Sequence, residues 1–182
     1  MTLAVLLRRA FARFAILALL AGVPASPLGA EPAPVTASPG ISILSYGVYC
    51  PPRVSGQMDA PETESGSVNL LADLPRIARN GQEVPAVLGL AFGLVYLSDR
   101  DLGVVRFQAL RPGRETPEIY YGSVTAGENG TQGFTFETPS ELEAGRWRFE
   151  SWSGDTLLYR VEFDVLPADA LPGLAQLCGL TS

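Results

Sequence analysis

The most regular alternation in the chain runs over residues 145–165. Trp147 and Phe149 alternate there with Arg146, Arg148 and Glu150, and Leu157, Tyr159, Val161, Phe163 and Val165 alternate with Leu158, Arg160, Glu162 and Asp164. A period of two puts each set on one face of a strand, and Ser153, Gly154 and Asp155 supply the chemistry of a tight turn, so the stretch predicts a β-hairpin with one apolar face. Such a face needs a second sheet to cover it.

The same reading locates the other strands. Residues 41–49, rich in β-branched and aromatic side chains, form a first strand stopped by Cys50, Pro51 and Pro52. Residues 57–67 are polar and read as a loop. Residues 68–79 suit a strand better than a helix, because Pro75 interrupts helical spacing. In residues 84–97 one parity carries Leu88, Leu90, Phe92, Leu94 and Tyr96, while the other carries Gly89, Ala91 and Gly93. That small-residue stripe implies that a ring or the chain's tail lies over it, with a ligand groove as the alternative. Further strands follow at Val105, Phe107 and Ala109, at residues 119–124, and at Phe134 and Phe136, with turns at 98–101, 111–114 and 128–130. The count is about eight strands, which predicts an all-β antiparallel sandwich. Leu171, Leu174, Leu177 and Cys178 fall at helical offsets and predict a short C-terminal helix packed on it.

Gly145, Arg146 and Trp147, preceded by Leu142, add a cue about the type of sandwich. In immunoglobulin-like domains an aromatic just inside the strand after a corner ties that corner down, and the indole N–H of Trp147 is able to donate to a corner carbonyl while its rings fill core.

Composition changes the picture in three ways. Arg8, Arg9 and Arg13 precede an apolar run and the small residues up to Ala30, the layout of a secretory signal, so a periplasmic or secreted protein is expected, with no membrane insertion once residues 1–30 are removed. Of 13 basic residues three lie in that segment, leaving 10 against 19 acidic ones and a net charge of −9, which argues against nucleic acid as a partner. The chain has no histidine, which removes the commonest general base and metal ligand, and neither cofactor nor metal is expected. Cys50 and Cys178 are the only cysteines, and in an oxidising compartment they predict one disulfide pinning the tail to the end of the first strand.

Several separated stretches resemble one family. They are Tyr46-Gly47-Val48-Tyr49, Val84 to Gly89 running into Phe92, Gly93 and Tyr96, and Gly145 to Glu150 with Trp152. In order and spacing they resemble the exported bacterial domain of unknown function 3859. The resemblance implies an exported β-sandwich and transfers no activity and no site residues.

The expected organisation is a signal peptide at 1–30, a flexible Pro- and Ala-rich arm at 31–40, an immunoglobulin-like sandwich at 41–166 and a helical tail at 167–182 tied by the disulfide. Paired carboxylates (Glu115 with Glu118, Asp99 with Asp101, Glu141 with Glu143) sit at predicted turns and read as solvated charges, although such pairs are able to serve hydrolytic chemistry. The favoured function is a non-catalytic binding module for a protein or carbohydrate partner. A structural envelope protein and an enzyme of unfamiliar, carboxylate-based mechanism are the alternatives. The candidate face comprises Tyr120, Tyr121 and Trp152, with Arg111 and Arg114 in the neighbouring turn.

Overall fold

The computed structural model describes residues 32–180. The expected signal segment lies outside them. In chain order the strands are β1 (Thr36–Ala37), β2 (Ile41–Tyr49), β3 (Val54–Asp59), β4 (Ser67–Leu71), β5 (Ile77–Asn80), β6 (Glu83–Pro85), β7 (Ala91–Ser98), β8 (Gly103–Leu110), β9 (Glu118–Val124), β10 (Asn129–Thr135), β11 (Gly145–Ser153) and β12 (Thr156–Leu166), followed by a single α-turn, α1 (Leu174–Leu177).

These strands build two facing sheets and a separate hairpin. One sheet runs β1-β12-β11-β8-β9, with β6 parallel beside β12; the other runs β10-β7-β2-β5; β3 and β4 pair only with each other. Strands β2, β7 and β10 stand where A, B and E stand in an immunoglobulin-like domain, and β8, β11 and β12 where C, F and G stand. The chain is an all-β immunoglobulin-like sandwich, as its patterning predicts.

The core follows the alternation. Trp147, Phe149, Val161, Phe163 and Val165 from one sheet and Leu90, Phe92, Leu94 and Tyr96 from the β7 side are buried between the layers. Phe92 touches five rings, with centroids 5.2–6.2 Å away, among them Trp147, Phe149 and Phe163 of the opposite sheet. Trp147 donates from Nε1 to the carbonyl of Glu143 at 2.9 Å, the corner bond foreseen from its position.

The small-residue stripe is covered, in two ways. A Cβ at Gly93 would meet the carbonyl oxygen of Gln132 at 2.2 Å, so the neighbouring strand itself occupies that space, and a Cβ at Gly89 would meet Leu180 of the tail at 3.1 Å. Tyr49 lies over the far side of the same row, its hydroxyl within 2.0 Å of where a Gly133 Cβ would stand.

Several expectations need correction. The polar stretch 57–67 is a loop only at 60–66; its ends belong to β3 and β4, which pair as a hairpin. Residues 68–79 are not one strand, since the bend at 72–76, which contains Pro75, separates β4 from β5. Leu88 precedes β7 and is 43% exposed. The turn expected at 128–130 comes earlier, at Gly127 with φ 73°, and Asn129 and Gly130 already belong to β10. A bulge between Ser151 and Trp152 pairs Trp152 with Leu157, so Leu158 rather than Leu157 is buried. Within the arm, Thr36 and Ala37 pair with Arg160 and Tyr159 of β12. The tail does pack on the sandwich through buried Leu174 and Ala175, but its helix is one turn only, because Pro172 and Gly173 (φ 89°) break what periodicity alone suggests.

Cys50 and Cys178 are joined, with Cα atoms 5.1 Å apart and 128 residues of separation. Replacing both by Ser removes the cross-link from the unfolded chain, which for a loop of this size is worth about 5 kcal/mol in the chain-entropy model. Urea titration of the double variant is expected to show a correspondingly lower midpoint. An unchanged midpoint contradicts it.

Burial pushes the Tyr96 hydroxyl up to about 12, those of Tyr49 and Tyr120 higher still, and that of Tyr159 well above its ordinary value. Their ordinary value is 10.0. A raised folded-state pKa contributes stability that is complete below the unfolded value and lost as pH climbs above it. We expect the contribution of these tyrosines to stability to decline only above about pH 10, and the ultraviolet absorbance of the four tyrosinates to appear together with unfolding. Ionisation of four or more of the six tyrosines in protein that keeps its native circular dichroism would contradict the assignment.

Candidate functional site

The β3–β4 hairpin contributes little to the core and is held instead by polar anchors. Its tip closes on itself: Ala60 N–H donates to the Gly66 carbonyl at 2.9 Å and Thr63 Oγ1 to the Ala60 carbonyl at 2.8 Å. Around the tip the Ile119 N–H donates to the Glu62 carbonyl at 3.1 Å, which ties it to edge strand β9. Arg111 Nη1 donates to Glu64 Oε2 at 2.7 Å, and Asn69 Nδ2 on β4 donates to Glu137 Oε1 at 2.9 Å, just beyond β10. The hairpin is thereby fixed at its tip and along one side.

Between these anchors lies a cavity of about 480 Å³. Met58, Val68 and Leu70 of the hairpin line one side, Tyr120, Phe134 and Phe149 another, and residues 131–135 run along its length. Tyr49 and Tyr120 contribute from β2 and β9. Gln132 stands behind them, donating from Nε2 to the Gln108 carbonyl at 2.9 Å and accepting from the Tyr159 hydroxyl at 3.0 Å. The polar lining includes Thr63, Asn69, Glu118, Glu137 and Glu141, and among the described residues none that lines it is basic.

Beside the cavity Arg111 is buried, its side chain 2% exposed. Its guanidinium lies 5.1 Å from the Phe134 ring centroid and 5.3 Å from that of Trp147, a cation–π sandwich. Glu64 accepts its one well-formed hydrogen bond; Glu118 Oε1 at 2.9 Å from Nε and Glu141 Oε1 at 3.8 Å from Nη2 add charge without hydrogen-bond geometry. Glu141 is held from the other side by the Thr138 N–H at 2.8 Å. Burial raises the pKa of Glu118, the nearby Arg111 charge opposes that rise, and the carboxylates of Glu64 and Glu141 add to it. Arg114, half-exposed, bonds Glu143 at 3.1 Å and lies 3.7 Å from Glu64.

The aromatic face expected from sequence does not assemble. Tyr120 and Tyr121 are neighbours on one strand and point to opposite faces. Tyr120 lines the cavity and stacks on Phe107 at 5.0 Å. Tyr121 is 48% exposed on the outer face, where the register aligns it with Arg106 and Trp152. The Arg106 guanidinium lies 5.7 Å from the Trp152 ring, and Trp152 Nε1 donates to Glu150 at 3.0 Å. Arg111 is engaged in the core and does not present itself to a ligand. Of the carboxylate pairs, Glu118 and Glu141 converge on Arg111, Asp101 caps the Ala126 N–H at 2.7 Å, and Asp99 pairs with Arg100 at 3.1 Å. Among the described residues no group of three His, Cys, Asp or Glu is placed to hold a metal ion.

The cavity is not legible in the sequence, because its roof joins Met58, from the stretch that reads as a polar loop, to Val68 and Leu70, from the stretch that reads as a strand, and nothing in either pattern shows that the two pair off the core.

Among solved structures the chain is similar to an immunoglobulin-like protein from Pseudomonas aeruginosa, at 25% identity over 76% of this chain and 100% of that one, with a TM-score of 0.46. It also matches parts of a β-glucosidase from Listeria innocua in complex with glucose (16% identity, TM-score 0.26) and the same enzyme with isofagomine (14% identity, TM-score 0.28). In both, 64% of this chain spans 22% of the enzyme. No curated protein matches the chain. A family model matches residues 37–165, from the edge of the arm to the end of the β11–β12 hairpin, and the chain therefore belongs to the family described as domain of unknown function (DUF3859).

Proposed function

We propose that the protein is an exported, non-catalytic binding module whose recognition site is the cavity beneath the β3–β4 hairpin. The observation that carries this reading is the cavity itself: about 480 Å³ with aromatic walls, a few polar groups, and a roof held by side-chain anchors instead of core packing. The disulfide supports export, since such bonds persist in oxidising compartments. The absence of histidine, and the engagement of Glu118 and Glu141 with Arg111, support binding over turnover.

One observation favours a second reading. Glu118 and Glu141 both line the cavity, and Glu118 has a raised pKa, the combination a carboxylate-based hydrolase uses for its acid. Against this, Arg111 lies within ion-pair distance of both carboxylates.

A substitution that fills the cavity from the roof tests the site without touching the sandwich core. The mature protein is screened by ligand-observed NMR against fragments, glycans and short peptides, alongside Val68→Trp. Ligands of the native protein are expected to lose at least tenfold in affinity in the filled variant, which retains its melting temperature. Ligands that bind both proteins equally would move the site elsewhere, to the outer face with Tyr121 and Trp152. Hydrolytic turnover that disappears in Glu118→Gln would replace this reading with the enzymatic one.

Arg111 supplies a separate check on the roof. Arg111→Gln removes the cation that Glu64, Glu118 and Glu141 share, and breaking a buried pair costs about 3 to 5 kcal/mol. Hydrogen exchange is expected to accelerate at residues 60–66 more than in β11 and β12. Uniform acceleration would mean that the roof has no independent motion.

A further inference from the structure

Among the described residues the cavity is bordered by two strand edges that pair with nothing across it. On β10 the Phe136 N–H donates to the Leu90 carbonyl at 3.0 Å, on the β7 side. The alternation of an antiparallel ladder then turns the main-chain groups of Gln132 and Phe134 toward β7, and those of Thr131, Gly133 and Thr135 toward the free edge. On β4 the bond from Ala60 to Gly66 sets the same alternation, so Val68 and Leu70 face β3 and the main chain of Asn69 faces away from it. Strands β4 and β10 both line the cavity and pair with each other nowhere. Unpaired strand edges are templates for another chain, and a cavity between two of them is a slot for one.

The charge around the slot selects what enters. Glu64, Asp73, Glu118, Glu137, Glu141 and Glu143 stand in or near it against Arg53, Arg111 and Arg114, so 6 − 3 leaves three formal negative charges. The walls contributed by Tyr120, Phe134 and Phe149 are apolar. An extended segment shows one set of side chains to each face, one set suited to the aromatic wall and the other to the carboxylates.

We propose that the slot takes an extended peptide segment of a partner protein, alternating apolar and basic side chains, which adds as a strand to the open edge of β10. The inference rests on the binding reading above and names its ligand class. Side chains of the partner segment would give specificity, and the main-chain groups of Thr131, Gly133 and Thr135 would give register.

The test uses the mature protein and a fluorescein-labelled six-residue peptide alternating valine and lysine, blocked at both ends, read by fluorescence anisotropy at about 0.15 M salt, where long-range attraction is screened. An alternating valine and glutamate peptide is expected to bind at least tenfold more weakly. Two N-methylated forms of the basic peptide, blocked on odd or on even residues, decide the mode. Strand addition at one edge predicts that one form loses tenfold or more and the other much less. Equal affinity of both with the parent overturns strand addition and leaves only charge attraction. Thr131→Pro, which removes an edge donor without touching the β7 ladder, is expected to weaken the parent peptide about tenfold. If that variant fails to fold, slowed amide exchange at Thr131, Gly133 and Thr135 of the native protein on adding peptide gives the same answer, and unchanged exchange there overturns the proposal. Peptides that do not bind while fragments still lose affinity in Val68→Trp refute the peptide class alone; failure of both refutes the cavity as a site. Peptide-induced doubling of mass would assign the slot to a second copy of this chain and overturn the partner segment.

Discussion

The contact on which the sandwich depends is the meeting of Phe92 with the aromatic face of the β11–β12 hairpin. One ring from the second sheet packs against Trp147, Phe149 and Phe163 of the first, while Phe134 and Phe136 close it from its own side. Aromatic pairs in tilted and edge-on arrangements add about 0.5–1.5 kcal/mol each beyond the area they bury, so this cluster fixes the spacing and the relative placement of the layers. Trp147 also reaches the Glu143 carbonyl and one face of Arg111, which couples the core to the corner and to the cavity's charged border.

Arg111 links packing to the site. A guanidinium buried between two rings needs compensating negative charge, and the chain brings it from Glu64 at the hairpin tip, Glu118 at the start of β9 and Glu141 after β10. The ion cluster explains why an otherwise weakly packed hairpin sits where it does. Main-chain bonds to the sandwich, such as that of Glu62 with Ile119, come at the tip. Away from the tip Asn69 holds Glu137, and Met58, Val68 and Leu70 border the cavity.

What could be read from the sequence was whatever alternates against a buried face. The β11–β12 hairpin, β2, and the inward residues of β7 and β8 follow from their spacing, and Trp147 from its place after a corner. The disulfide follows from two cysteines in a chain expected to enter an oxidising compartment. Strand β3 and its pairing with β4 are hidden because a hairpin standing off the core has no apolar face to impose a period; the Ser, Gly, Gln and Asp of β3 are what an exposed loop looks like too. The tail's helical offsets misled for the opposite reason, since spacing cannot register that Pro172 and Gly173 forbid the middle of the helix. Tyr120 and Tyr121 were joined on composition, although adjacent residues in a strand face apart. Arg111 looked like a turn cation because its carboxylate partners are spread over some 80 positions of sequence.

The disulfide has a mechanical meaning as well as a thermodynamic one. Tension applied between the two ends of the described chain would run from the arm through β1 and β2 to Cys50, cross the sulfur bridge to Cys178 and leave through the last residues of the tail. The intervening loop, with its ten strands, would stay slack. Of the strands on the load path only β2 is long, and it lies inside its sheet between β5 and β7, where its pairing with β7 would have to shear along its length instead of peeling from one end. A domain wired this way keeps the hairpin over its cavity, both of the edges that border it and the Arg111 cluster off the path of a pull on the two ends of the described chain, and only Tyr49 of the cavity lining stands on that path.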